Sequence, residues 1–125
     1  MCFLDDLFTI VTVDPTENGF RATLRCNPEH QIYKAHFPGN PITPGACLLQ
    51  TAAELMQRQQ GRPLCLQGSK NVKYLNVLIP ASGKEVSFAF SGIAETETGC
   101  KTQVVIADES TVYTKMSLSF SYEAL

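Results

Sequence analysis

The segment from His36 to Met56 constrains the fold of this chain more than any other. Its first part, HFPGNPITPG, places three prolines within seven residues, and each proline fixes one φ angle and keeps the residue before it out of helical geometry. Between Gly45 and Gly61 neither proline nor glycine occurs, and helix-forming residues dominate. The segment therefore predicts a stiff loop that leads directly into one long, mostly apolar helix.

The junction between this loop and the helix carries the best candidates for chemistry. His36 is a candidate base because histidine titrates near neutral pH. Pro44 is expected in the first helical turn, where its missing N–H would have no partner anyway. The first N–H groups of the helix, those of Gly45 and Ala46, could polarise a thioester carbonyl. A base beside such donors is the minimum needed to remove a proton α to a carbonyl. His30 has no comparable context and is predicted to lie in an exposed turn.

The rest of the chain is predicted to form strands. Several segments are rich in β-branched and aromatic residues or alternate in polarity, namely residues 20–26, 71–79, 85–94, 102–107 and 111–122. Together with the helix they indicate an α+β fold in which five or six antiparallel strands cover one long helix. No linker, repeat or low-complexity run divides the chain, so residues 1–125 are interpreted as a single domain.

Composition and charge argue against several classes of function. The net charge of −2 gives no electrostatic footprint for nucleic acid, and no apolar run approaches the roughly 20 residues of a membrane span. The five cysteines are odd in number and widely spaced, and they include no CxxC pair, so neither a metal site nor a redox motif is expected. A reducing, cytoplasmic location is expected instead. Cys47 is interpreted either as a nucleophile activated in the first helical turn or as a small buried apolar residue.

The motif HFPGNPITPG resembles the HFPG-x-P-x-x-PG motif of the β-hydroxyacyl-(acyl carrier protein) dehydratases, which have the hot-dog fold. Tyr33 to Phe37 resembles the aromatic lead-in to that motif. Lys70 to Pro80 resembles the basic and aromatic strand that runs into a proline turn. The resemblance covers roughly residues 8 to 90. It implies a single hot-dog domain, in which a curved antiparallel sheet wraps around the central helix.

The resemblance also implies a reaction, the loss of water from an (R)-3-hydroxyacyl thioester to give the trans-2-enoyl thioester in acyl-chain biosynthesis. His36 would take the C2 proton, the N–H of Gly45 would bind the thioester oxygen, and Phe37, Pro44 and Ala46 would border the substrate. The substrate would be carried on the phosphopantetheine of an acyl carrier protein or of coenzyme A, and no metal or other cofactor is expected. Members of the family form homodimers or trimers of dimers, with each site completed by both subunits.

The catalytic acid of the family, Glu or Asp, lies fourteen residues after the histidine, and here that position is Gln50. A carboxamide can donate and accept hydrogen bonds but cannot deliver a proton to a leaving hydroxyl. The candidates for this role are Glu54 on the same helix face, a protonated His36, or a water held by Gln50. Alternatively, Gln50 and Glu54 belong to an ordinary polar stripe of the helix, with Gln50 at most orienting the substrate.

Three functions therefore remain open at the level of sequence. The first is a 3-hydroxyacyl thioester dehydratase. The second is a catalytically weak subunit that binds acyl thioesters or supports an active partner in a heteromeric dehydratase. The third is a hot-dog thioesterase that uses Glu54 or a water activated by His36. Fold alone does not decide among them.

Overall fold

The computed structural model describes residues 3–35, 39 and 41–123. His36 and Phe37 therefore lie outside the described residues. Within the described part, the elements follow one another as β1 (Phe8–Thr16), β2 (Gly19–Cys26), α1 (Gln31–Ala35), α2 (Gly45–Gln60), β3 (Leu64–Tyr74), β4 (Glu85–Glu95), β5 (Gly99–Ala107) and β6 (Val112–Tyr122).

The strands form one antiparallel sheet in the order β1-β2-β4-β5-β6-β3. Strand β3, which follows α2 in the chain, pairs with the last strand, β6, so that α2 connects the two halves of the sheet. Side chains of the strands alternate between one buried and one more exposed face, as period-two strands must when one face is covered. The buried face packs with Leu48, Ala52, Leu55 and Met56 of α2 in one apolar core. The α+β prediction is confirmed.

Helix α2 begins and ends where the prolines and glycines predict. Pro44 immediately precedes the helix in extended geometry (φ −62°, ψ 143°), one residue earlier than the first-turn position predicted for it. Gly61 ends the helix at φ 68°, a left-handed conformation that glycine adopts without steric cost, and its N–H donates to the carbonyl of Gln57. The stiff entry and the glycine exit together fix the length of the helix.

Strand β3 differs from the segment predicted at residues 71–79. It begins at Leu64 and ends at Tyr74, after which the N–H groups of Leu75 and Asn76 both donate to the carbonyl of Tyr113. This shared acceptor ends the regular ladder. Residues 75–79 do not pair as a strand, and of these five only Leu78 is buried, at 1% exposure. The β-branched and aromatic content of residues 71–79 therefore marked neither the bounds of the strand nor its burial.

Strand β1 and the short helix α1 were not predicted. Strand β1 lies at the edge of the sheet, where its side chains are mostly exposed, so it lacks the alternation that reveals a half-buried strand. It also contains Pro15, which an edge strand tolerates because one side of its backbone is unpaired.

The turn between β5 and β6 is held by the carboxylate of Asp108. That carboxylate accepts hydrogen bonds from the hydroxyl of Tyr113, from the N–H of Ser110 at 2.9 Å and from the ammonium of Lys84 at 3.0 Å. These donors, the Tyr113 hydroxyl first, hold the pKa of Asp108 well below its usual range. Because Lys84 precedes β4, its contact with Asp108 joins the loop before β4 to the turn between β5 and β6.

Candidate functional site

The two ends of the proline loop are joined by a buried hydrogen bond. Tyr33 of α1 lies just before the loop and Thr43 lies at its end. Their hydroxyl oxygens are 2.8 Å apart, and each residue is 4% exposed. Burial raises the pKa of Tyr33 to about 12. Thr43 also donates its backbone N–H to the carbonyl of Leu78 at 2.8 Å. This pair was not predicted from the sequence.

The start of helix α2 has the form that a carbonyl-binding site needs. The N–H groups of Cys47 and Leu48 donate to the carbonyl of Pro44 at 3.0 and 3.3 Å. The N–H groups of Gly45 and Ala46 come before the first intrahelical donor, the N–H of Cys47, and no side chain among the described residues caps this end of the helix. A negatively polarised oxygen placed there would meet both donors and the positive end of the helix dipole.

Tyr74, at the end of β3, rests on this helix start. A Cβ atom added to Gly45 would lie 2.6 Å from Cε1 and Cζ of the Tyr74 ring, so the ring approaches the backbone closely because Gly45 has no side chain. Tyr74 is nevertheless 56% exposed. It is the first of four exposed apolar side chains beside the helix start, followed by Leu75, Val77 and Ile79. An exposed apolar surface of this kind is typical of a binding surface.

Gln50 and Glu54 are brought together, one helical turn apart, as the sequence predicts. The side-chain nitrogen of Gln50 donates to Oε2 of Glu54 at 3.1 Å. Gln50 is exposed and Glu54 is partly buried. The pair lies on the face of α2 away from Leu48, Ala52 and Leu55, which enter the core.

The carboxylate of Glu54 also binds the N-terminal strap, which we define as residues 3–7. The N–H of Phe3 lies 2.9 and 3.0 Å from the two carboxylate oxygens, and the N–H of Leu4 lies 3.0 Å from Oε1. Phe3, Leu4 and Leu7 are at most 5% exposed, so the strap is part of the core. To act as an acid, Glu54 would have to carry a proton on an oxygen that now accepts hydrogen bonds.

His30 connects the strap to helix α1. Its Nε2 lies 2.9 Å from Oδ2 of Asp6, and its Nδ1 accepts the N–H of Ile32 at 3.0 Å. The side chain is only 13% exposed, so the prediction of an exposed turn residue is wrong. The contact with Asp6 could not be foreseen because it joins two segments far apart in sequence.

Cys47 has the environment of a core residue. It is 4% exposed, and burial raises the pKa of its thiol. An activated nucleophile needs the opposite, a stabilised thiolate. The structure therefore favours the interpretation of Cys47 as a small buried apolar residue.

A groove of about 900 Å³ lies on the other face of the sheet, away from α2. It is lined by small and charged residues of β2, β4, β5 and the adjoining turns, among them Arg21, Ser87 and Val105. None of the predicted site residues lines it. We therefore place the candidate site at the start of α2 and not in this groove.

Among the residues that the structure describes, no helix is both long and apolar enough to cross a membrane.

Comparison with known proteins shows the family and the fold of this chain. The family model of the ApeI-like dehydratases (ApeI dehydratase) matches residues 12–121. The 3-hydroxyacyl-[acyl-carrier-protein] dehydratase FabZ of Clostridium acetobutylicum is 30% identical over 77 residues, which cover 54% of this chain and 55% of that protein. The match thus spans about half the length of this relative.

Solved structures resemble the chain over nearly its whole length. The dehydratase heterocomplex ApeI:P from Xenorhabdus doucetiae superposes with a TM-score of 0.72 at 14% identity, covering 91% of this chain and 97% of the other. A hypothetical thioesterase with coenzyme A from Streptococcus pneumoniae gives 0.64 at 11% identity, covering 94% and 86%. At such identities the likeness concerns the fold, and it confirms the predicted hot-dog fold. Because the family model extends over most of the chain, from β1 to β6, this protein belongs to the ApeI-like dehydratase family.

Proposed function

We propose that this protein removes water from an (R)-3-hydroxyacyl thioester and forms the trans-2-enoyl thioester. The observation that carries the proposal is the start of α2, where no side chain of the described residues caps the N–H groups of Gly45 and Ala46. A thioester oxygen bound there would gain negative charge as the C2 proton leaves, and the two donors would stabilise that charge. Phe37 and Pro44 would border the same substrate, carried by an acyl carrier protein or by coenzyme A.

His36 takes the C2 proton in this proposal. The electrons of the C2–H bond then form the C2–C3 double bond, the C3–O bond breaks, and the departing hydroxyl takes a proton to become water. We assign that proton to the protonated His36, because Gln50 has none to give and the oxygens of Glu54 accept backbone N–H groups. Gln50 then orients the hydroxyl without protonating it.

A second subunit completes the site in this proposal. Strand β3 is an edge of the sheet, and exposed apolar side chains lie in it and in the segment that follows, namely Leu66, Tyr74, Leu75, Val77 and Ile79. Unpaired edges with apolar side chains are suited to pairing with another chain. A homodimer, or a trimer of such dimers, would pair two β3 edges and cover this surface. Free thiols at the four cysteines that the structure describes support a reducing, cytoplasmic compartment.

A second candidate function is that of a supporting subunit in a heteromeric dehydratase. Gln50 stands at the acid position, and the neighbouring carboxylate is engaged by the strap. The solved ApeI:P structure is a dehydratase heterocomplex, which supports a non-identical partner here. A third candidate, a thioesterase, has support only from the fold of its neighbours.

Dehydration and its reverse can be followed at the enoyl absorbance with 3-hydroxyacyl and 2-enoyl thioesters of several lengths. We expect slow turnover by the wild type, its loss in His36→Ala, and a gain in Gln50→Glu, because general acid catalysis is worth roughly 10²–10⁴-fold in rate. A silent wild type with an active Gln50→Glu variant would favour the supporting subunit. Release of free thiol without enoyl formation would favour the thioesterase.

The dimer is tested separately by light scattering. Val77→Lys places a charge on the exposed apolar surface and is expected to raise the dissociation constant of the dimer at least 10-fold. Val13, also exposed but on the opposite edge strand, offers a matched control, and Val13→Lys should leave the dimer intact. Equal effects of both substitutions would argue against pairing through β3.

A further inference from the structure

The outer face of the sheet, away from α2, carries its charges unevenly. In β2 and β4, basic and acidic side chains meet, as in the ion pair of 3.1 Å between Arg25 and Glu85. Strands β3, β5 and β6 are neighbours in the sheet and contain neither aspartate nor glutamate. They contain four exposed lysines, which we call the lysine face: Lys70, Lys73, Lys101 and Lys115. None of these four forms an ion pair with a residue that the structure describes.

A bulge in β3 brings Lys70 and Lys73 to the same side of the sheet. These two residues are three positions apart and would point to opposite faces of a regular strand. The register of β3 shifts between them, next to Asn71, which has a left-handed conformation (φ 53°). Lys70 thereby lies opposite Ser117. Lys73 lies opposite Lys115, which shares the outer face of β6 with Ser117.

A second bulge, in β4, borders a cavity on the lysine face. The register of β4 shifts between Ser91 and Ala94, where Gly92 has a φ of 59°. The cavity has a volume of about 290 Å³ and reaches from one bulge to the other. Its lining includes Lys70, Gly92, Ala94, Lys101, Ser117 and Ser119. Bulges are common beside functional sites because they redirect side chains.

The lysine face costs stability while no anion is bound to it. Lys73 and Lys115 lie directly opposite each other in neighbouring strands, and like charges in such a pair destabilise a sheet. Glu95 follows the bulge of β4, but it lies opposite Cys100, whose side chain is buried, and so belongs to the core side of the sheet. A negatively charged ligand on the outer face would offset the repulsion between the lysines.

We propose that the cavity on the lysine face binds a phosphate group, either as a free inorganic anion or as part of a larger ligand. The Cα atoms of Lys70 and Lys101 are about 12 Å apart from the spacing of strands and residues, so their four-carbon stems can bring both ammonium groups to one anion. Lysine binds phosphate as a point charge, and the hydroxyl groups of Ser117 and Ser119 can rotate to donate to it. The site lies on the opposite face of the sheet from the core and α2, so it does not depend on the proposed reaction.

Inorganic diphosphate is the first probe, titrated into isotope-labelled protein and followed by the backbone NMR signals of Gln103, Ser117 and Ser119. We expect these signals to shift with a dissociation constant below about 10 mM, and to stay in place in sodium chloride of equal ionic strength. Lys70→Gln and Lys101→Gln should each raise the dissociation constant about 10-fold, because each removes a charge-assisted hydrogen bond.

Lys34→Gln is the matched control, because it removes the same charge from helix α1, away from the lysine face. It should leave the dissociation constant of diphosphate unchanged. All three variants replace an exposed side chain, and circular dichroism checks that each is folded. An equal loss of affinity in Lys34→Gln, shifts that follow ionic strength alone, or no shift up to about 10 mM diphosphate would overturn the proposal.

Coenzyme A and pantetheine, which lacks phosphate, separate the two sources of the phosphate group. If coenzyme A shifts the same signals and pantetheine does not, the cavity holds the phosphate of a larger ligand. If diphosphate shifts them and coenzyme A does not, the cavity takes a free anion. Either result supports the proposal, whereas equal shifts by coenzyme A and pantetheine would show that phosphate is not what the cavity recognises.

Discussion

The hydrogen bond between Tyr33 and Thr43 permits a quantitative test of how the proline loop is anchored. Tyr33→Phe removes one hydroxyl and leaves the hydroxyl of Thr43 buried without its partner, whereas Thr43→Val does the reverse. An unpaired buried polar group costs about 1–3 kcal/mol, so each single substitution should lower the free energy of unfolding by that amount. The double variant removes both groups and leaves no polar atom unpaired, so its cost should be about 1 kcal/mol or less.

The free energies of unfolding can be measured by urea denaturation followed by circular dichroism, because the chain contains no tryptophan to serve as a fluorescence probe. All variants are compared at one protein concentration, since dimerisation would otherwise change the apparent stability. The two single costs add to about 2–6 kcal/mol, so a double-mutant cycle should give a coupling energy of at least about 1 kcal/mol. If the double variant costs the sum of the two single variants, the hydroxyl groups do not interact and the reasoning is refuted.

Three further predictions concern stability and reactivity. The pKa of Asp108 is lowered in the folded state, so its contribution to stability is present above its usual pKa and is lost as the pH falls. Asp108→Asn should therefore flatten the decline in the free energy of unfolding between about pH 5 and pH 2. An unchanged pH dependence in this variant would contradict the prediction. A Cβ added at Gly99 would overlap a backbone carbonyl of the neighbouring strand, so Gly99→Ala should lower the free energy of unfolding by at least about 2 kcal/mol. A Cβ added at Gly68 would have its nearest atom at 3.6 Å, so Gly68→Ala should lower it by under about 1 kcal/mol. Equal urea midpoints for the two variants would contradict the steric explanation. A thiol reagent at pH 8 should modify the exposed Cys65 before the buried Cys47, and peptide mass spectra showing the reverse order would revive the interpretation of Cys47 as a nucleophile.

Much of the fold could be predicted because its signals are local. The prolines before Gly45 and the glycine at position 61 bound helix α2. Alternating polarity marks β2, β4, β5 and β6. The spacing of four residues brings Gln50 and Glu54 together on one helix face. Each of these inferences needs only the geometry of one element.

The missed features depend on contacts between distant segments. Phe3 and Leu4 bind Glu54 through backbone N–H groups, which every residue carries and which therefore leave no mark in the sequence. His30 meets Asp6 only after the strap has folded against α1. An edge strand such as β1 lacks the one-sided burial that produces a readable pattern. Tertiary packing, and not local preference, decides these positions. The roles of His36 and Phe37 stay predictions because both lie outside the described residues.

The pairing of β3 with β6 has a consequence for the order in which the chain folds. Strands β1 and β2, and likewise β4, β5 and β6, are joined by short turns, so these hairpins close small loops and form at low entropic cost. Strand β3 has to wait for the last strand of the chain, and its arrival carries the end of α2 onto the sheet. Synthesis of β6 is thus the step after which the sheet can close over the helix. A nascent chain that stops short of Val112 would lack the core side chains of β6 and the pairing of β3, so part of the apolar core would stay exposed, in a form that chaperones recognise and that aggregates readily.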